Sequence, residues 1–76
     1  MTTKFSVLVK IDRSGHGKAF LVCKATGHRI GSFPMSPARF PTPVDMVAKA
    51  TAWATSRSNV PAADVDVSAV EVQVAG

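Results

Sequence analysis

Three side chains in this sequence of 76 residues ionise or attack as nucleophiles near neutral pH: His16, His28 and Cys23. A general base has to be held at a fixed distance from the proton it removes. His16 stands between Gly15 and Gly17, in a run whose composition predicts a loop, so it is expected to be a solvated residue at a hairpin tip. His28 follows the turn glycine Gly27 and reads as a turn or strand-end residue. Cys23 lies in an apolar strand, where a thiol usually behaves as a small core hydrophobe. No two of the three are spaced two, three or four residues apart, so no metal site is expected. Gly15-His16-Gly17 is too short for a phosphate loop and does not precede a helix. The sequence thus predicts no catalytic residue, no cofactor and no enzyme.

Pro34-Met35-Ser36-Pro37-Ala38-Arg39 fits the P-x-x-P-x-R pattern that SH3 grooves accept. Three fixed positions in six recur often by chance, and the segment is better read as a strap whose Phe40 anchors in the core. Trp53 is expected under the helix and not as a stacking platform.

The cations carry more information. Residues 1–40 hold Lys4, Lys10, Arg13, Lys18, Lys24, Arg29 and Arg39 against Asp12, a balance of +6, whereas residues 41–76 hold Lys49 and Arg57 against Asp45, Asp64, Asp66 and Glu71, a balance of −2. A positive half of this kind concentrates anionic partners around it. With 46% hydrophobic and 18% charged residues the chain has the composition of a folded globule, expected to be one domain spanning 1–76. The lone Cys23 excludes an intramolecular disulfide and points to a reducing compartment. The start has too short an apolar run for a signal peptide, and no stretch reaches the roughly 20 apolar residues of a membrane span, so the expected location is the cytoplasm.

Periodicity supplies the elements that must position these charges. Residues 4–12, KFSVLVKID, alternate with period two and predict a half-buried strand with Phe5, Val7, Val9 and Ile11 on one side. A second strand is expected over Lys18–Ala25, a tight turn at Thr26-Gly27 and a third strand over Arg29–Phe33. Prolines at 34, 37, 41 and 43 disfavour regular pairing and predict an extended strap. Thr42-Pro43-Val44-Asp45 then announces a helix, with threonine as N-cap, proline at the first helical position and an acid at the third. The helix is expected to run to about Arg57, end at Ser58-Asn59, and turn Met46, Val47, Ala50, Trp53 and Ala54 inward. The valines of the tail change parity between Val67 and Val70, which predicts a bulge near Ser68-Ala69 or two short strands. The expected fold is α+β: two layers in the order β-β-β-α-β, a mostly antiparallel sheet with one helix on one face, the last strand running parallel beside the first or the third.

One helix of about 15 residues is roughly 22 Å long and about 10 Å wide, enough to cover one face of a four-stranded sheet. Keeping lysines out of the core sends Lys4, Leu8, Lys10, Lys18, Phe20, Val22, Lys24, Arg29 and Phe33 to the other face, with Arg13 on the adjoining loop, and buries Ala19, Leu21, Cys23 and Ile30. A twisted second strand that buries Phe20 is the alternative. An apolar patch ringed by cations predicts a contact surface.

Three roles suit it. One is a protein-binding module, an inhibitor or adaptor that docks on an acidic or nucleic-acid-binding protein, including a nucleoprotein complex. Phage and mobile-element proteins that block host defence share its size and shape, an analogy with no residue motif behind it. Another is binding of RNA or single-stranded DNA, phosphates on the lysines and bases on the rings, although no RNP, KH or helix-turn-helix signature is present. The third is a homodimer, formed through the patch or through an edge strand. No membrane contact is expected.

Overall fold

Alternation at the start of the chain produces β1 (Phe5–Ile11), and in the computed structural model of the protein this strand lies inside the sheet. Residues 4–56 and 60–75 are described, without the side chain of residue 69. β2 (Gly17–Cys23) runs antiparallel to β1, and β3 (Arg29–Met35) antiparallel to β2. After α1 (Pro43–Ser56) and one turn of 3-10 helix (Ala62–Asp64), β4 (Val65–Val74) returns parallel to β1. The strand order is β3-β2-β1-β4, so the last strand takes the edge beside the first. The helix packs on one face, and the fold is the two-layer α+β arrangement that the sequence predicts.

The core follows from the two periodicities. Val7, Val9, Ala19 and Leu21 project from the central strands and are at most 1% exposed, and Met46, Ala50, Trp53 and Ala54 meet them from the helix. Thr42 caps that helix, its Oγ1 accepting from the Asp45 N–H at 3.2 Å. The end expected at Arg57 and Ser58-Asn59 lies outside the described residues. β4 is bulged as expected: its pairing steps from Ser6 with Asp66 to Leu8 with Glu71.

β3 departs from expectation. It extends through Pro34 to Met35, which is 2% exposed in the core. Pro34 pairs with Lys18, whose own N–H and C=O turn towards β1, so the proline nitrogen faces the open edge, where no donor is required. Between Ala19–Phe33 and Leu21–Ile30 the ladder holds one extra β3 residue, and Gly31 takes a φ of 66° there. The bulge reverses the parity of the strand. Phe33 therefore faces the helix, its ring 5.8 Å from that of Trp53, and does not join the open face. Ile30 faces the helix side too but remains 37% exposed, and Cys23 is half-buried at the strand end.

Candidate interaction face

The face without a helix is assembled by register. The Lys24 N–H donates to Lys4 C=O at 3.0 Å, and the ladder then sets Ser6 opposite Val22, Leu8 opposite Phe20 and Lys10 opposite Lys18, all pointing away from the helix. β3 adds Arg29 beside Val22 and Pro34 beside Lys18. β4 adds Asp66 beside Ser6, Glu71 beside Leu8 and Gln73 beside Lys10. Lys4, Lys10, Lys18, Lys24 and Arg29 are exposed and come together as expected, with Phe20 and Val22 half-buried among them.

Leu8 is placed differently from expectation, and Arg13, on the loop as expected, turns away from the face. Leu8 lies on this side but is 3% exposed, so it supports the face from beneath and offers a partner no area. Arg13 sits on the β1–β2 loop and lines a shallow groove with Pro37, Pro41 and Met46 beside the helix start, away from the face. Sequence reasoning did not assign Pro34, Asp66, Glu71 or Gln73 to the face. Their parity could be read only once the edge taken by β4 and the bulge at Gly31 were known.

The charges divide into partnered and unpartnered groups. Lys24 Nζ lies 2.8 Å from Asp66 Oδ2, a bridge that crosses over β1. Ser68 donates to the other oxygen of Asp66 from its amide at 3.0 Å and its hydroxyl at 2.6 Å. The Lys24 hydrogen bond first and those from Ser68 second hold this carboxyl well below the usual carboxylate range. The guanidinium carbon of Arg29 lies 5.5 Å from the centre of the Phe20 ring, a cation–π distance that also covers part of the ring. Lys10 and Lys18 are a different case. They face each other directly across the ladder, both exposed, and neither makes an ion pair among the described residues. They share a concavity with Phe20, Pro34 and Gln73.

The hairpin loop is tied and not loose. Asp12 Oδ1 accepts from the N–H groups of Ser14 and His16, each at 3.0 Å, and from the Ser14 hydroxyl at 2.6 Å. The Ser14 hydroxyl, chiefly, lowers the Asp12 carboxyl below its ordinary value. Ser14 Oγ is also 2.7 Å from His16 Nδ1. Nucleophilic triads place the histidine between acid and hydroxyl; here the hydroxyl lies between acid and histidine. The Cys23 thiol is lowered by hydrogen bonds from the Thr26 hydroxyl first and from the Thr26 and Ala25 amides. No metal-ligating group of three or more His, Cys, Asp or Glu occurs among the described residues, and none of their helices is long and apolar enough to cross a membrane.

No protein-family model, curated protein or solved structure matches the chain.

Proposed function

We propose that the protein is a non-enzymatic binding module, an inhibitor or adaptor, that docks the Lys10–Lys18 region of its open sheet face on an acidic surface of a protein partner. The carrying observation is the direct opposition of these two lysines with no ion pair to either among the described residues. Like charges opposed across a ladder are destabilising, and an anionic group bound between them reverses that term. At the other end of the same two strands Asp66 does this for Lys24, which sits opposite Lys4. Beside the lysine pair, Phe20 and Val22 supply apolar area, so a partner that combines an acid with an apolar neighbour fits the face.

Binding of RNA or single-stranded DNA is the alternative, and two observations weigh against it. Phe20 is the one aromatic ring on this face among the described residues, and Arg29 lies over it. Asp66 and Glu71 stand on the same face, where they would repel a phosphate backbone.

Affinity capture from lysate with and without nuclease tests the proposal, with the wild type and a Lys10→Glu, Lys18→Glu double variant as bait. A specific protein retained after nuclease and lost with the double variant is expected. Recovery of nucleic acid alone, or equal recovery with both baits, would overturn it.

A further inference from the structure

We propose that β4 is a homodimerisation edge: two copies pair β4 antiparallel to β4 about a two-fold axis at Val72, joining two four-stranded sheets into one. The two edges of the sheet are built differently. β3 carries a bulge at Gly31, an exposed Arg29 and the donor-free Pro34, three devices that blunt an edge. β4 has none of them beyond its own bulge: Glu71 to Val74 pair without a break against β1, and residues 65–74 contain no lysine, arginine or proline. It also holds three of the five large hydrophobic side chains that are exposed among the described residues: Val67 at 44%, Val72 at 38% and Val74 at 63%.

Hydrogen bonding fixes which backbone groups are on offer. Ala75 N–H donates to Ile11 C=O at 2.8 Å. Alternation along a parallel ladder then directs the N–H and C=O of Glu71 and Gln73 to β1, and those of Val70, Val72 and Val74 to the free edge. A two-fold axis at Val72 sets Val72 against Val72 of the second copy and Val70 against its Val74, all with outward-facing groups. On the helix side this makes a continuous row of valines. On the other side it sets Glu71 against Gln73 of the second copy, twice, a carboxylate opposite an amide donor. Neighbouring registers fit less well. An axis at Glu71 would oppose two carboxylates, and an axis at Gln73 would leave Val70 with no described residue opposite it. The strand is thus complementary to itself in apolar contact, backbone groups and side-chain hydrogen bonding, which selects a second copy as the occupant.

Opposed residues of an antiparallel pair point to the same side, so both Lys10–Lys18 regions would lie on one surface, about 20 Å apart at a strand spacing of about 4.8 Å. The inference does not depend on the proposed function, since no residue of the β4 contact belongs to the lysine pair.

Sedimentation equilibrium on the full chain tests it, with mass expected to rise from 8.0 kDa towards twice that value as concentration increases. Val72→Pro removes an outward N–H that the monomer's own ladder does not use, and is expected to give monomer. Gln73→Glu sets carboxylates opposite each other at two places and should weaken the dimer roughly tenfold, while adding Glu71→Lys to it puts opposite charges there and recovers the affinity. This series decides the matter even if Val72→Pro fails to fold. A wild type that stays monomeric up to about 1 mM, its edge then being free for a foreign strand, would overturn the proposal. So would a dimer indifferent to the charge series.

Discussion

Lys10 and Lys18 are placed where a sequence selected for stability alone would not put them, and that makes opposite predictions for stability and for binding. Lys10→Glu converts a repulsion into a cross-strand attraction and should stabilise the fold by about 0.5 kcal/mol, read from urea denaturation, while weakening capture of the partner. A loss on both counts would mean that the lysines support the fold and not a contact. The aromatic residues divide in the same manner. Trp53→Ala, at a site 8% exposed under the helix, should cost about 3–5 kcal/mol and threaten folding. Phe20→Ala, half-buried on the open face, should cost about 1 kcal/mol and leave the fold intact. The placement of Phe20 was legible in the sequence only through the cost of burying Lys18 and Lys24, because an apolar strand with lysines at both ends has no parity of its own. Leu8 shows the limit of parity: it names the side correctly and misses the burial that neighbouring strands impose.

At the scale of elements, the strands, the Thr42 cap, the helix stripe and the β4 bulge could be read from period and capping chemistry because each depends on residues a few positions apart. The parity of β3 could not, because it depends on one glycine accepting a conformation that only the paired strand requires. Gly31→Ala should therefore destabilise by about 1–2 kcal/mol from backbone strain at its positive φ, measured by thermal or urea unfolding. The clasp between β2 and the start of β4 gives a pH dependence. Asp66 is depressed from an ordinary value near 3.8, so it favours the folded state above that pH and loses its contribution as acid protonates it in the fold. The stability gap between wild type and Asp66→Asn should be constant above about pH 5, narrow below about pH 4, and vanish at still lower pH. A gap that widens in acid would show that the Lys24 bridge is not what lowers this carboxyl.

For the whole molecule, charges that separate by halves along the chain are interleaved in space, because β4 from the acidic half lies against β1 from the basic half. The result is a gradient across one face, with cations on β1 to β3 and Asp66 and Glu71 on β4. An acidic partner is drawn to one side of that face and repelled from the other, which orients the encounter as well as accelerating it. Ionic strength tests where the attraction resides. Raising it from about 0.01 M to about 0.1 M shortens the screening length from about 30 Å to about 10 Å, and association with a glutamate-rich peptide, followed by stopped flow, should slow roughly tenfold with little change in dissociation. Lys18→Glu should remove most of that dependence. Lys49→Glu makes the same change in net charge from the helix, where its ammonium lies 5.9 Å from the Phe33 ring at the far rim of the same concavity, and should reduce it much less. Equal effects from the two variants would mean that total charge attracts the partner and that the sheet face has no privileged part in the encounter.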